Sequence, residues 1–379
     1  LTFSFSYVKL NKFWSTACGP RILREKIGGR LSGRQIITEA AFMDFVFATI
    51  GRGKIVRSFL SAAAYFDSFH LEAVYSRDRH DGEIFAKEYG CEKVYTSISD
   101  IAEDKKINCV YIASPNALHH DQTIALLESG KNVLCEKPLA TNAREAEEMI
   151  FYAKKNGALL MEAYKTFLTP NLYQVKDHLH KIGDIRNVIF SLSKYSSKYD
   201  AHKRGEEANT FKASLGGGAM ADIGVYPLYP LLILFGTPKR LVSMSLPIST
   251  HEKDFPFCDG VTTAVFDYGS FIATVNVSKI SVGYSYSEIQ GEKGTIRFDN
   301  INDPSKMEVV IGGDIETYAL PQKKFNMYYE IKEFFYCLEN GLSDPITFPN
   351  ALSLEGIKII DEIRRNSGIV YPADEAGNI

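Results

Sequence analysis

Lys137 and Tyr226 are the two side chains of this chain best suited to move a proton beside a hydroxyl or carbonyl group. Lys137 stands in Asn132-Val133-Leu134-Cys135-Glu136-Lys137-Pro138, where an apolar run ends abruptly in charge. Charge at the carboxyl end of a buried parallel strand is where open α/β sheets place their chemistry. Pro138 fixes its own φ and disfavours the α region for Lys137, which predicts a turn of defined shape. Tyr226 closes a second constellation, Gly216-Gly217-Gly218 followed by Asp222, Gly224 and Tyr226. Asp222 and Tyr226 share one face if this stretch is a helix, and the glycine run lets backbone and ligand approach closely. A phenol titrates near about 10 in water. An ammonium across a cleft stabilises phenolate and lowers that value, so a converging Lys137 and Tyr226 make a proton-transfer pair. The competing reading is a flexible loop followed by a buried helix face.

Elements that present a cofactor to such a pair are legible upstream. Phe45 to Ile50 is an apolar run, Gly51-Arg52-Gly53 a turn, and Lys54 to Ala64 has helical spacing. Glycines between a first strand and a helix allow a pyrophosphate to sit on the helix N-terminus, which Lys54 and Ile55 open. Val56 stands where a third glycine is common, so the motif is weak by itself and its context carries it. The second strand ends in Ser76-Arg77, with no acid before Asp78. An acid there binds ribose hydroxyls, whereas an arginine fork suits a 2′-phosphate. With Arg52 adding charge inside the turn, the site reads as one for NADP(H), with NAD(H) as the alternative. Ser114, Pro115 and Asn116 end the next strand and are expected to line the nicotinamide side, together with Glu136 and Lys137. His119 contacts cofactor or substrate there, or is simply a polar residue in the first turn of a helix.

The chain has 379 residues, enough for two domains, with 45% hydrophobic and 23% charged residues as in ordinary soluble proteins. Its six cysteines (18, 91, 109, 135, 258, 337) form no C-x-x-C pair. That argues against a metal site or a disulfide framework and for reduced thiols in a cytoplasmic protein. The longest apolar run, Leu228 to Phe235, contains Pro230 and is too short to cross a bilayer. Residues 1–42 carry seven Lys/Arg against two Asp/Glu, and residues 43–379 carry 36 against 44, so the body has no basic surplus for nucleic acid. The first 42 residues show no steady period and no secretory core, and are expected to be a non-native or disordered extension before a native start at Met43, a transit peptide being the alternative.

From Phe45 to Met161 strands and helices alternate: strands at Leu71–Tyr75, Asn108–Ala113, Asn132–Cys135 and Ala158–Met161, helices at about His80–Tyr89, His119–Ser129 and Asn142–Asn156. This predicts a doubly wound parallel sheet. Gly90, Gly130 and Gly157 fall just past predicted helices, where a left-handed residue is wanted. The alternation stops near Pro170. A helix is expected at Leu172–Lys181, a strand at Ile185–Tyr195, a helix from the glycine run to Phe235, and strands at Leu241–Leu246, Val261–Tyr268, Phe271–Val277, Tyr284–Gln290 and Thr295–Phe298. Helices at about Asn326–Glu339 and Asn350–Asn366 close the chain. The expectation is a dinucleotide-binding domain over 43–165 and an α+β domain with a largely antiparallel sheet over 166–379.

Taken together, Glu136-Lys137-Pro138 after a two-glycine start, with Gly216-Gly217-Gly218, Asp222, Gly224 and Tyr226 further on, resembles the Gfo/Idh/MocA oxidoreductase family. The resemblance spans about Asp44 to Asn366. It implies a Rossmann domain, a second domain whose open sheet often forms a dimer face, and hydride transfer between NAD(P) and a CH–OH/carbonyl group of a sugar, polyol or diol. It assigns Lys137 as catalytic lysine, Asp222 as substrate-binding aspartate and Tyr226 as proton donor, the tyrosine pointing to the glucose–fructose oxidoreductase and dihydrodiol dehydrogenase branches. One departure is Phe167, where many relatives carry arginine; either Lys165 takes over that arginine's contact or the contact is missing. The rival reading is a non-catalytic NADP-binding regulator on the same fold, which would not need Lys137 and Tyr226 together. An enzyme of this fold acting on a non-sugar substrate is a third.

Overall fold

The computed structural model describes residues 44–206, 208–284 and 286–375. The expectation for residues 1–42 lies outside them.

Strands β1 (Phe45–Ile50), β2 (Phe69–Tyr75), β3 (Lys93–Tyr95), β4 (Cys109–Ile112), β5 (Asn132–Glu136) and β6 (Leu160–Ala163) form a parallel sheet in the order β3-β2-β1-β4-β5-β6. Helices α1 (Lys54–Ala63), α2 (Arg79–Glu88), α3 (Ile98–Glu103), α4 (His119–Glu128) and α5 (Ala143–Asn156) connect them. Local chemistry explains the boundaries. Asp78, Ser97 and Asn142 cap α2, α3 and α5 through their side chains. Gly90, Gly130 and Gly157 all take positive φ, as their positions past helix ends predict. The strand order reverses at β1 and β4. Connections leave that pair toward opposite sides, which opens a crevice at its carboxyl ends. Gly51 at the end of β1 has φ +111°, and a Cβ there would lie 2.7 Å from the Ala113 carbonyl. Glycine is therefore required where the two strands diverge.

The second sheet runs β14-β13-β12-β11-β7-β10-β9-β8. Its strands are β7 (Ile185–Ser193), β8 (Arg240–Ser249), β9 (Phe257–Asp267), β10 (Ile272–Ser278), β11 (Ser287–Gly291), β12 (Thr295–Phe298), β13 (Met307–Ile311) and β14 (Asp314–Tyr318). All neighbours are antiparallel except β7 and β10, which pair in parallel. One face carries Val188, Phe190, Phe266, Val275, Ile289 and Phe298 into a core closed by helix α6 (Val225–Phe235). On the other face, among the described residues, Val242, Met244, Leu246 and Ile272 are exposed. The stretch Ala213–Phe235 is long and apolar enough by composition to cross a bilayer, but most of it is buried inside this core.

Three expectations change. The region Leu172–Lys181 is not one helix: it splits into short turns at Pro170–Tyr173, Val175–His178 and Leu179–Ile182. Tighter bonds, such as the Asp177 N–H donating to the Gln174 carbonyl at 3.0 Å, bring Leu172, Val175 and Ile182 all into the core. The β13–β14 hairpin turns on Gly312-Gly313, both at positive φ. Its last strand is polar and exposed, so it lacks the apolar alternation that marks a half-buried strand.

The third change concerns the domain boundary. Helix α7 (Tyr328–Glu339) lies in the second half of the chain but packs in the first domain. Its Ile331, Phe334, Phe335 and Cys337 join Phe45, Phe47 and Phe59, and the Phe335 ring stacks on Phe45 with centroids 3.9 Å apart. Helix α8 (Asn350–Asn366) wedges between the units: Ile357 packs with the first domain, and Ile359, Ile360 and Ile363 with the second. The first core therefore draws side chains from a helix in the second half of the chain. Phe335→Ala is expected to destabilise the protein by about 3–5 kcal/mol, read as a lower urea midpoint. An unchanged midpoint would mean that α7 is not part of the first core.

Candidate active site

The crevice between β1 and β4 opens into a groove of about 480 Å³ lined by Gly51, Arg52, Gly53, Ser76, Arg77, Ser114, Pro115, Gln122 and Asn209. Gly53 is extended at the start of α1, no side chain caps that helix, and a Cβ on Gly53 would meet nothing within 4 Å. Open space in front of an uncapped helix N-terminus fits a pyrophosphate. Lys54 and Ile55 open the helix with exposed side chains outside the groove lining. Asp78 is committed to capping α2, accepting from the Asp81 N–H at 2.9 Å. The end of β2 thus offers buried Ser76 and exposed Arg77. Arg52 pairs with Asp81 at 3.0 Å, which spends part of the charge expected of it.

A second concavity of about 320 Å³ continues past Ala113, Ser114 and Pro115 to Asn116, Thr210, Gly217 and Asp222. Another concavity, of about 520 Å³, lies elsewhere, on the outer face of the second sheet beside Arg186, Arg240 and Phe271. It holds none of the residues that converge here, so size does not mark the site. Asn116 ties the two domains, its side-chain amide donating to the Gly216 carbonyl at 2.9 Å.

Lys137 follows β5 at a cis peptide bond to Pro138, and its side chain is 12% exposed. Nζ donates to the Asp222 carbonyl at 2.6 Å and to Asp222 Oδ1 at 3.2 Å, and lies 4.9 Å from the centre of the Tyr226 ring. Residues Met220–Gly224 wind as a π-turn, so Asp222 and Tyr226 are not neighbours on one α-helical face. They meet through Lys137. Gly218 serves this turn, since a Cβ there would collide with the Asp259 carboxylate, whereas Gly217 lines the second concavity. Asp259 is buried and accepts from the Met220 N–H at 2.7 Å, which anchors the turn. Within α6, Pro230 has no N–H to offer the Tyr226 carbonyl, and the Tyr164 hydroxyl donates to that carbonyl at 3.4 Å.

The electrostatics follow from burial and pairing. Burial would push the Lys137 ammonium down, but Tyr226, Asp222 and Glu136 outweigh it and hold the lysine above its ordinary value. Burial opposes ionisation of Asp222 as well, and Lys137 with Lys279 hold its carboxyl well below the usual range. Tyr226 departs from the sequence expectation. Lys137 does favour its phenolate, but burial is the larger effect and raises the phenol above its ordinary value. Burial thus favours the protonated phenol of Tyr226, whose ring faces the Lys137 ammonium.

Two expected ligand contacts are structural instead. His119 is fully buried, with Nδ1 3.0 Å from the Pro138 carbonyl and Nε2 3.1 Å from the Ser114 carbonyl. It ties the lysine turn to the β4 loop and presents no atom to the cleft. Glu136 is buried behind Lys137 and accepts from the Tyr111 hydroxyl at 2.6 Å. Phe167 is wholly buried, and Lys165 turns to Asn326 Oδ1 at 2.7 Å, so Lys165 does not stand in for an arginine beside Asp222.

Gln122, Asn209, Thr210 and Lys279 belong to the site and escape a motif reading. Thr210 Oγ1 donates to Asp222 Oδ2 at 3.1 Å, and Lys279 pairs with the same oxygen. A signal for Lys279 existed: Val275-Asn276-Val277-Ser278-Lys279 is a second strand ending in a lysine.

Comparison with known proteins agrees with this architecture. Residues 45–164 match the oxidoreductase family with an NAD-binding Rossmann fold, and residues 178–297 match the GFO/IDH/MocA C-terminal domain. The chain is 43% identical to the scyllo-inositol 2-dehydrogenase (NADP(+)) IolU of Bacillus subtilis, over 87% of this chain and 99% of that protein. It is 27% identical to mouse trans-1,2-dihydrobenzene-1,2-diol dehydrogenase, over 86% and 98%. Among solved structures, the 3-ketoreductase KijD10 of Actinomadura kijaniata, crystallised with NADP and TDP-benzene, superposes with a TM-score of 0.75 at 23% identity, over 86% of this chain and 98% of that one. That likeness shows the fold. The paired domains, the dinucleotide crevice and the lysine turn at its end make this chain a member of the Gfo/Idh/MocA family of oxidoreductases.

Proposed function

We propose that this protein is an NADP(H)-dependent dehydrogenase acting on a secondary CH–OH/carbonyl centre of a polyol, sugar or diol, working as a homodimer in the reducing cytoplasm that the five buried free thiols among the described residues fit. The observation that carries the reading is the buried Lys137 ammonium, held between the Tyr226 ring and the carboxylate of Asp222, which lines the concavity that continues the dinucleotide groove. A bound nicotinamide supplies the hydride acceptor or donor. Tyr226 passes its proton to, or recovers it from, the substrate oxygen. Lys137 stabilises negative charge on that oxygen and on the phenol. Asp222, 38% exposed on the cleft floor, accepts from a neighbouring substrate hydroxyl. The names of IolU and of the dihydrodiol dehydrogenases support a substrate with adjacent hydroxyl groups.

The choice of NADP(H) rests on Ser76-Arg77 at the end of β2 with Asp78 engaged as a cap. The dimer rests on the outer face of the second sheet, where Val242, Met244, Leu246 and Ile272 are each more than half exposed. A run of apolar residues on an open sheet face is the kind of surface a second copy covers.

Lys137→Met is expected to lower kcat about 10²-fold or more while NADPH still binds by fluorescence titration. Turnover at the wild-type rate on a polyol panel would sink the mechanism. Arg77→Ala is expected to weaken NADPH binding about tenfold or more and to leave NADH unchanged; an equal loss for both removes Arg77 as the 2′-phosphate reader. Met244→Asp is expected to convert the dimer to monomer in light scattering, and a wild type that is already monomeric overturns the dimer.

A further inference from the structure

Lys279 stands outside every motif that led to the site, yet it is among the most buried ammonium groups of the protein, its side chain 5% exposed. It follows β10 directly, and its main chain is fixed from two directions. Its N–H donates to the Gly260 carbonyl at 3.0 Å, and its carbonyl accepts from the Ser196 N–H at 2.8 Å. Its Nζ bonds to both Asp222 Oδ2 and Thr210 Oγ1, and lies 5.3 Å from the centre of the Phe211 ring. Asp222 is thus held on both sides: Lys137 takes Oδ1 and Lys279 takes Oδ2. The two lysines differ in access. Lys137 lies between Asp222 and the Tyr226 ring, whereas Lys279 is sealed behind the carboxylate by Thr210 and Phe211.

We infer that Lys279 is a positioning residue that acts through Asp222, locking its carboxylate as a fixed anionic acceptor and so fixing where Lys137, bonded to the other oxygen, stands beside the reacting centre. The inference rests on the proposed roles of Lys137 and Asp222. An aspartate held by Lys137 at one oxygen alone would be free to rotate about its side chain, and the position of the ammonium bonded to it would move with it. A second cation on the far oxygen prevents that rotation and divides the carboxylate's charge between two partners. It also commits Asp222 to accepting, so the substrate position beside it takes a hydroxyl that donates. Removing Lys279 leaves Asp222 with one cation and Thr210 with no ammonium to order it. Removing Asp222 leaves Lys279 as an uncompensated buried charge, so the pair is best tested by removing both partners together.

The experiment is a double-mutant cycle of Lys279→Met and Asp222→Asn, measured as kcat/KM on a polyol that the wild type turns over, with the KM for NADP(H) followed in parallel. Lys279→Met is expected to lower kcat/KM about 10²-fold, the scale of a displaced positioning group, with the KM for NADP(H) within about twofold. The double variant is expected to be no worse than Asp222→Asn alone, because Lys279 has nothing left to act through. It also removes both buried charges, so it serves where Lys279→Met folds poorly. Losses that add in the double variant, or a Lys279→Met enzyme at wild-type kcat/KM, overturn the inference. Lys137→Met separates this result from the reading beneath it. If Lys137→Met keeps turnover, the proton-transfer mechanism fails whatever Lys279 does. If Lys137→Met loses turnover and Lys279→Met does not, only the role of Lys279 fails.

Discussion

A lysine ammonium taken out of water is stable only beside an anion that the fold itself supplies. Lys137 is placed by the first domain, at the end of a buried parallel strand, and its anion Asp222 comes from the second. The pair therefore spans the two domains, and much of the molecule keeps the two ends in register. The π-turn exposes the Asp222 carbonyl to Nζ. Asp259 anchors that turn, and Asn116 ties the glycine run to the β4 loop. Each contact is modest alone. Together they hold a charged hydrogen bond at a geometry that neither domain could set by itself.

The return of α7 to the first domain serves the same end. A second domain attached by one linker would rock freely over the crevice. Here the chain passes from the first unit into the second, back through α7, and onward along α8 between them. Buried carboxyls lie along this junction. Glu162 accepts from the Tyr229 hydroxyl at 2.9 Å and is pushed up to about 7 by burial. Burial and the nearby Glu136 push the Glu330 carboxyl well up.

Much of the fold was legible because its signals are local. Gly51 and Gly53, the helix caps and the C-terminal glycines act within a few residues, so their roles can be read without a fold. Tertiary context overrode the pattern in particular places. The polar β14 is an exposed edge strand with no apolar face to show. The parallel pairing of β7 with β10 is a fact of topology, invisible to alternation. The α7 helix reads as amphipathic in sequence, and nothing in its spacing says which of two cores it enters.

The same division runs through the active site. The sequence by itself determined which groups are present: an ammonium at a strand end, a phenol and a carboxylate near a glycine run, an arginine without a competing acid. Residue type and short spacing suffice for that, since they set what a group can donate, accept or bind. Only the tertiary structure decided their states and partners. It turned His119 inward, joined Asp222 and Tyr226 through Lys137 instead of along a helix face, and kept the Tyr226 phenol protonated. It also brought Lys279, 57 residues from Asp222, against the same carboxylate. Burial and through-space charge set these outcomes, and both depend on what distant segments bring alongside.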